Sequence, residues 1–360
     1  MRRGANACRA QMRFQRCIHT DRRAGGEDNA ARKVAMKIVL AGGSGQVGTM
    51  LARTFLSAGH EVVVLSRRPA RAPWRTVYWD AHTLPLGGEV WVAEINGADV
   101  VVNLAGRSVN CRYTPRNRRL IMDSRVQSVR AVGEGIGRCA RPPAVWLQAS
   151  TATIYSHRFD AANDDATGII GGTEPGVPEL WKFSIDVARA WERAATEVPL
   201  SGTRLVLLRS ALTLSPDAGG VFDVLLRLVR LGLGGAWADG RQYVSWIHYQ
   251  DFISACNWLI NRTDISGPVN LAAPEPLPNE QFMRDLRRAW GTSVGLPATK
   301  MMLELGAMVM RTETELVLKS RRVAPSRLLQ EGFAFTFPTW REGAIDLCRR
   351  WREQRAPARA

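Results

Sequence analysis

The clearest structural signal in this sequence is the segment Lys37-Ile38-Val39-Leu40-Ala41, which runs directly into Gly42-Gly43-Ser44-Gly45-Gln46-Val47-Gly48. The first five residues are rich in apolar and β-branched side chains, which predicts a buried strand. The stretch from Gln46 to Ala58 predicts a helix, and Gly59 marks its end. The segment is therefore a strand, a glycine-rich turn and a helix in immediate succession.

The three spaced glycines have separate tasks in that context. Gly42 allows a tight turn, Gly45 lets the backbone approach a pyrophosphate, and Gly48 lets the helix pack closely. The first helical residues, Gln46 and Val47, present N–H groups and the positive end of the helix dipole to phosphates. The pattern predicts a dinucleotide-binding site. A glycine-rich turn without a ligand is the alternative interpretation.

Apolar runs and helical stretches alternate along the chain after this segment. Further strands are predicted at 61–66, 76–79, 99–104, 144–150 and 205–209, and longer helices at 115–139 and 181–197. This alternation is typical of a parallel sheet covered by helices on both faces. We therefore predict an α/β fold: a Rossmann-type doubly wound parallel sheet with a smaller, mostly helical C-terminal lobe.

Residues 1–35 differ from the rest of the chain. They are rich in arginine and lack apolar periodicity. This predicts a disordered extension or a start codon assigned too early, with Met36 as the true start. A transit peptide is a third interpretation, against which the acidic residues in this stretch argue.

The remaining residues are predicted to form two domains and a short tail. The dinucleotide-binding Rossmann domain spans 36–275 and includes substrate-lobe insertions at about 156–180 and 216–250. Within the second insertion, one strand is predicted at 243–248, and Asp251 is predicted to cap the helix that follows. A C-terminal helical domain at 276–351 and a disordered tail at 352–360 complete the chain.

The end of the second predicted strand bears on the choice of cofactor. NAD-binding folds usually place Asp or Glu here to hold the ribose 2′-hydroxyl, whereas this chain has Ser66-Arg67-Arg68. A guanidinium binds phosphate with a two-pronged hydrogen bond. Ser66 and Arg67 therefore favour NADP(H), unless the two arginines are only exposed charges. The small residues of Leu104-Ala105-Gly106 would let the backbone lie against the adenosine part of the cofactor.

Composition excludes some classes of protein and leaves others open. The sequence contains no run of about 18 apolar residues, so no transmembrane helix is predicted. The six cysteines are scattered, without zinc-ligand spacing, so we predict no metal site and a reducing cytoplasmic location. The formal net charge of +16 would suit nucleic acid. No aromatic-interleaved basic stripe supports that partner, so the expected partner is a small-molecule substrate, with no nucleic acid or membrane, for a monomer or homodimer.

Several segments together resemble a known family. The spaced glycines, Asn103-Leu104-Ala105-Gly106 and Ser150-Thr151-Ala152-Thr153-Ile154-Tyr155 are similar to extended or atypical short-chain dehydrogenases/reductases. The later segments Ser245-Trp246-Ile247-His248 and Arg322-Val323-Ala324-Pro325 are similar to the YfcH-like epimerase-family proteins. The resemblance implies NADP(H) binding and a characteristic C-terminal helical domain. It also implies that Arg125 occupies a position that reaches the cofactor.

The catalytic pair expected from that resemblance is absent. Short-chain dehydrogenases use Tyr-x-x-x-Lys on one helix, and no tyrosine here has lysine four residues later. Phe183 and Val187 stand at the approximate positions of the pair. Thr151 keeps the hydroxyl at the end of the catalytic strand, or is simply a satisfied strand-end residue. Tyr155 is the best candidate to replace the missing acid, and an aromatic pocket wall is its alternative role.

A second departure concerns the substrate. Extended epimerases commonly carry an arginine for the substrate diphosphate where this chain has Val244, which argues against a sugar nucleotide. We expect an NADP(H)-dependent oxidoreductase or epimerase that acts on a small carbonyl or sugar-like substrate. The alternative is an NADP(H)-binding sensor or scaffold with little or no turnover.

Overall fold

The computed structural model describes residues 35–82, 90–299, 301–302, 313 and 315–356. The prediction for residues 1–34 lies outside the described residues, as does the end of the predicted tail, residues 357–360. The described residues belong to one compact unit.

Seven strands form one parallel sheet. Together with four shorter strands they are β1 (Lys37–Ala41), β2 (Glu61–Ser66), β3 (Arg75–Tyr78), β4 (Val100–Asn103), β5 (Val145–Thr151), β6 (Arg204–Ser210), β7 (Leu212–Leu214), β8 (Tyr243–Val244), β9 (Trp246–His248), β10 (Gly267–Leu271) and β11 (Leu277–Pro278). The large sheet has the order β10-β6-β5-β4-β1-β2-β3. The strand order reverses on the two sides of β1, which places a crevice at the carboxyl ends of β1 and β4.

Helices cover both faces of this sheet and form the C-terminal region. They are α1 (Gln46–Ser57), α2 (Val90–Ile95), α3 (Pro115–Gly137), α4 (Glu179–Thr196), α5 (Val221–Arg230), α6 (Tyr249–Asn261), α7 (Asn279–Trp290), α8 (Glu315–Leu318), α9 (Ser326–Gln330) and α10 (Trp340–Arg355). The predicted α/β fold with a helical C-terminal lobe is confirmed.

Alternation along β1 builds the two hydrophobic layers. Successive side chains of a strand point to opposite faces. Ile38 and Leu40 therefore pack on one face with α1 and α6. Val39 and Ala41 pack on the other face with α2, α3 and α4. Because both faces are covered, every residue of β1 after Lys37 is buried.

A third hydrophobic cluster joins the chain after β7 to the C-terminal helices. Phe222 of α5, Phe282 of α7 and Trp340 of α10 belong to this one cluster. The rings of Phe282 and Trp340 are stacked with centroids 4.1 Å apart. The predicted insertion at about 216–250 and the helices α7 and α10 therefore share one core.

Three local predictions for this region were wrong. The strand predicted at 243–248 is two strands, because the chain changes partner at Ser245: β8 pairs with β11, and β9 pairs with β7. The cap of α6 is His248, whose Nδ1 accepts from the N–H of Gln250, while Asp251 accepts from the N–H groups of Thr336 and Phe337.

The third correction concerns the predicted tail. Helix α10 continues to Arg355, beyond the predicted end at residue 351. The guanidinium of Arg355 donates to Asp223 at 3.0 Å and lies 4.1 Å from the ring centroid of Trp351. These contacts with α5 and with its own helix hold the last turn in place.

Candidate active site

The glycine-rich turn closes against the turn that follows β4. Gly42 has a φ of +72°, a left-handed conformation that other residues rarely adopt. A Cβ at this position would also lie only 2.6 Å from the Cα of Ala105. The structure thus brings Gly42 and Ala105, two predicted cofactor-binding residues from separate segments, into contact.

The start of α1 is open to a ligand. Gly45 precedes the helix without a side-chain cap, and a Cβ built there would meet no atom within 4 Å. The first-turn N–H groups, including those of Gln46 and Val47, have no carbonyl partner within the helix. A Cβ at Gly48 would overlap the backbone of Gly43, so turn and helix pack backbone against backbone. These features fit the pyrophosphate of a dinucleotide.

The side chain of Gln46 connects this turn to a later segment. Its Nε2 donates to Oγ of Ser215 at 2.9 Å, and that hydroxyl donates to Asp217 at 3.1 Å. A Cβ at Gly220 would overlap the amide of Gln46. The segment that follows β7 therefore lies along the glycine-rich turn at 42–48, which we call the phosphate turn. No local pattern in the sequence predicted this contact.

The end of β2 lies beside the same turn. The hydroxyl of Ser66 donates to Oγ of Ser44 at 3.1 Å and accepts from the N–H of Arg68 at 3.1 Å. Arg67 and Arg68 are both exposed, and neither forms an ion pair with any residue that the structure describes. Two guanidinium groups are therefore available next to the phosphate turn. They fit a ligand with a further phosphate.

Hydrogen bonds fix the turn after β4. The N–H of Leu104 donates to the carbonyl of Ala41 at 2.8 Å. The side chain of Asn103 accepts from the N–H of Ala105 at 3.0 Å and donates to Gln148 on β5 at 2.9 Å. These hydrogen bonds hold the small residues after β4 against the phosphate turn.

Arg125 of α3 reaches back to this turn. Its Nη1 donates to the carbonyl oxygens of Arg107 and Ile121, each at 3.1 Å. Its guanidinium carbon lies 4.9 Å from the ring centroid of Trp191, and a Cβ at Gly106 would come within 3.3 Å of it. Burial lowers the pKa of Arg125 to about 10, so the group remains charged at neutral pH.

A cavity of about 120 Å³ lies beside Arg125 at the carboxyl end of β5. Its walls come from the segment before α3, from α3, β5 and α4, and from the chain around α8. The lining residues are Val109, Tyr113, Ile121, Arg125, Thr151, Thr153, Phe183, Ser184, Val187, Trp191, Glu315 and Arg321.

Thr151 is the last residue of β5 and lines this cavity. Its Oγ1 accepts from the N–H of Thr153 at 3.2 Å and so caps the short 3₁₀ helix Ala152–Ile154. The neighbouring Ser150 points elsewhere, because its hydroxyl donates to the buried Glu192 at 2.5 Å. Thr151 is thus the strand-end hydroxyl that faces the cavity, together with the predicted Arg125.

Comparison with known proteins identifies the family. Residues 38–272 match the NAD dependent epimerase/dehydratase family, and residues 298–346 match a domain of unknown function, DUF1731. The chain belongs to the NAD dependent epimerase/dehydratase family. The resemblance found in the sequence is therefore confirmed.

Two curated relatives extend over most of the chain. Human epimerase family protein SDR39U1 is 28% identical over 306 residues, which are 84% of this chain and 96% of the relative. Epimerase family protein YfhF of Bacillus subtilis is 28% identical over 307 residues, 84% of this chain and 94% of the relative.

Solved structures agree with the fold. The crystal structure of human SDR39U1 (isoform 2) with NADPH matches with a TM-score of 0.74 and 26% identity, over 87% of this chain and 99% of that chain. The UDP-N-acetylglucosamine 4-epimerase of Bacillus cereus matches with a TM-score of 0.67 and 15% identity, over 88% and 100%. The second likeness shows the fold alone.

The two residues predicted to stand at the positions of the Tyr-x-x-x-Lys pair both face the cavity. Phe183 and Val187, both on α4, line the cavity. Lys182 lies beside them in sequence, but its Nζ is in an ion pair with Glu179 at 2.5 Å. At these two predicted positions, the wall of the cavity therefore consists of an aromatic ring and an aliphatic side chain.

Tyr155, the other predicted catalytic residue, does not line the cavity. It is 2% exposed, and its hydroxyl donates to Oδ1 of Asn270 at 2.8 Å. The same hydroxyl accepts from Nη1 of Arg209 at 3.0 Å, and Arg209 is paired with the buried Glu192 at 2.8 and 2.7 Å. Burial raises the pKa of Tyr155, and the charge of Arg209 acts in the opposite direction. The candidate role of Tyr155 is corrected accordingly: the ring is sequestered by core packing, away from the cavity.

Four polar residues of the cavity escaped the sequence analysis: Tyr113, Ser184, Glu315 and Arg321. They come from three separate segments, and none belongs to a spaced motif. The only available signal was indirect: Tyr113 lies just before the predicted helix 115–139, which carries the predicted Arg125, and Arg321 immediately precedes the family-like segment at 322–325.

Two further findings concern the described residues as a whole. Among them, no group of three or more His, Cys, Asp or Glu side chains is arranged to hold a metal ion. None of the helices in the same part of the chain is both long enough and apolar enough to cross a membrane.

Proposed function

We propose that this protein binds NADP(H) and acts as an oxidoreductase or epimerase on a small carbonyl or sugar-like substrate. One chain of contacts carries the proposal: Gly42 meets Ala105, Gly106 meets Arg125, and Arg125 lines the same cavity as Thr151. A dinucleotide that followed these contacts would run from the phosphate turn to the cavity. The NADPH in the crystal structure of human SDR39U1 supports the same cofactor here.

The residues divide the binding of the cofactor among them. The N-terminus of α1, including Gln46 and Val47, would hold the pyrophosphate. Ser66 and Arg67 would hold the 2′-phosphate, and the turn Leu104-Ala105-Gly106 would lie against the adenosine part. NADPH, when bound, supplies the hydride that reduces a carbonyl carbon.

The cavity residues act on the substrate oxygen. The hydroxyl of Thr151 would donate a hydrogen bond to it, and the charged Arg125 would stabilise the negative charge that develops there. A cavity of about 120 Å³ is smaller than the roughly 300–1,000 Å³ of pockets that enclose drug-sized ligands, which favours a small reacting group. Val244 supports the same conclusion, because it is buried in the β8–β11 pair and supplies no positive charge for a diphosphate.

The proposed setting is the cytoplasm, with a small-molecule substrate, no nucleic acid and no membrane, for a monomer or a homodimer. Cys111, Cys139, Cys256 and Cys348 are free thiols, which suits a reducing compartment.

One observation favours a second function, an NADP(H)-binding sensor or scaffold with little turnover. Phe183 and Val187 replace the catalytic pair, and neither side chain exchanges a proton. Binding and turnover must therefore be measured separately.

Calorimetric binding of NADPH and NADH tests the cofactor. Arg67→Ala removes one charged hydrogen-bond fork, which costs about 1.5–3 kcal/mol and weakens NADPH binding roughly 10- to 150-fold. NADH affinity should barely change. Arg341→Ala, which removes an exposed charge on α10, is the matched control. Failure of both nucleotides to bind wild type would refute the proposal.

Oxidation of NADPH by a panel of small aldehydes and ketones tests turnover. Thr151→Ala should keep NADPH affinity and lose a factor of about 10² or more in rate, the effect of losing one oxyanion donor. Tight NADPH binding without oxidation by any carbonyl compound would favour the sensor or scaffold.

A further inference from the structure

The cavity contains a phenol, that of Tyr113, which no sequence motif predicted. Tyr113 lies just before α3 and is buried, with its ring edge-on to Phe183 at a centroid distance of 5.2 Å. Phe183 stands where the family pattern would place the catalytic tyrosine. The cavity therefore contains a tyrosine in contact with Phe183, but this tyrosine precedes α3, whereas Phe183 belongs to α4.

The backbone beside Tyr113 is held in place. Its N–H donates to Oε1 of Glu313 at 2.7 Å, and Glu313 also pairs with Arg112 at 3.4 Å. Glu313 belongs to the segment that leads into α8. The position of the phenol thus depends on a clamp between the chain before α3 and the C-terminal region.

A buried carboxyl group lies beside the phenol in the same cavity. Tyr113, Ser184 of α4 and Glu315 of α8 all line this cavity. The Ser184 hydroxyl donates to Oε2 of Glu315, which is 1% exposed. Ser184 therefore holds the carboxyl group in the wall that also contains Tyr113.

We propose that Tyr113 is the proton donor of this cavity and that solvent returns its proton. The proposal rests on the proposed function, since it assumes NADPH and a carbonyl substrate. It replaces the tyrosine of the missing Tyr-x-x-x-Lys pair with one from the segment before α3.

The proton balance is complete. With NADPH as the source of the hydride, the carbonyl oxygen would take the proton of the Tyr113 hydroxyl and become the alcohol. The phenolate would then take a proton from solvent. One carbonyl, one NADPH and one proton become one alcohol and one NADP⁺.

Electrostatics keep the phenol protonated at neutral pH. Burial and the charge of Glu315 together raise the pKa of Tyr113 to about 12, against the opposing charge of Arg125. Burial also raises the pKa of the Glu315 carboxyl, against the charge of Arg321, whose guanidinium lies 3.7 Å from Oε1. The Tyr113 hydroxyl therefore carries the proton that the donor role requires.

Tyr113→Phe tests the donor, because it removes the hydroxyl and keeps the ring packed on Phe183. We expect NADPH affinity within about twofold of wild type, and single-turnover oxidation of NADPH by the best carbonyl of the panel slowed about 10²- to 10⁴-fold. Tyr78→Phe, at a tyrosine that is 63% exposed, is the matched control. A rate within about threefold of wild type would overturn the donor role. If the wild type does not bind NADPH, the proposed function itself is refuted instead.

A titration independent of turnover tests the environment of the donor. The chain has five tyrosines, so ¹³C labelling at Cζ gives five signals, and Tyr113→Phe assigns the one required. The Tyr113 signal should titrate above the ordinary tyrosine value of about 10. Glu315→Gln removes a negative charge from the same cavity, so the signal should then titrate at lower pH than in wild type. A wild-type signal that titrates at or below the ordinary value, or one that Glu315→Gln leaves unchanged, would overturn the buried donor, even if no carbonyl in the panel were reduced.

Discussion

Tyr155→Phe separates a structural tyrosine from a catalytic one. The substitution removes only the hydroxyl oxygen, which joins the Asn270 amide to the Arg209 guanidinium inside the protein. Asn270 is 0% exposed and Arg209 is 8% exposed, so water does not readily replace the lost partner. The perturbation therefore leaves one buried acceptor and one buried charged donor each short of a hydrogen bond.

The expected loss follows from those two bonds. A hydrogen bond between neutral groups contributes about 1 kcal/mol to stability, and one to a charged group contributes about 1.5–3 kcal/mol. We expect the free energy of unfolding to fall by about 2–4 kcal/mol. Arg209 keeps its two bonds to Glu192, so the fold should persist.

Urea unfolding followed by circular dichroism measures this loss, with Tyr78→Phe as the exposed control, expected within about 0.5 kcal/mol of wild type. Calorimetry with NADPH and single-turnover rates complete the assay, and both should stay near wild type. If stability is unchanged while turnover falls 100-fold or more, the structural interpretation is refuted and Tyr155 is the acid.

Further predictions concern the phosphate turn and the response to pH. Gly48→Ala should lower both stability, by about 1–3 kcal/mol, and NADPH affinity, because its Cβ overlaps backbone. Gly45→Ala should lower NADPH affinity without lowering stability, because its Cβ meets no protein atom within 4 Å. Equal stability losses in the two variants would contradict this. Burial lowers the pKa of His248 to about 4, with Asp346 opposing and Arg350 reinforcing the effect. His248 is therefore neutral when folded but titrates near 6.5 when unfolded, so its stabilisation is present above pH 6.5 and is lost as the pH falls towards 4. Between pH 7.5 and 5, urea unfolding of wild type should lose about 2 kcal/mol more than that of His248→Gln, and identical losses would refute the assignment.

Regular elements were predictable where their signals are local. β1 and the start of α1 were predicted to the residue, because apolar alternation, glycine spacing and helix onset all lie within one short segment. The split of the strand at Ser245 was not predictable. Its hydroxyl donates to the carbonyl of Arg321 and accepts from the N–H of Val323, contacts with a distant part of the chain. Asp251 likewise does not cap its own helix, because its carboxylate accepts hydrogen bonds from the backbone N–H groups at 336–337.

The sequence by itself determined the parallel sheet and the phosphate turn. Each of these depends on the order of residue types within a few turns of chain, where neighbouring residues set the backbone conformation. Only the tertiary structure decided which side chains line the cavity at the end of β5. Thr151 and Tyr155 are four residues apart, yet one faces the cavity and the other is sequestered by Arg209 and Asn270. That choice, like the arrival of Tyr113, depends on packing between distant segments, which local sequence does not encode.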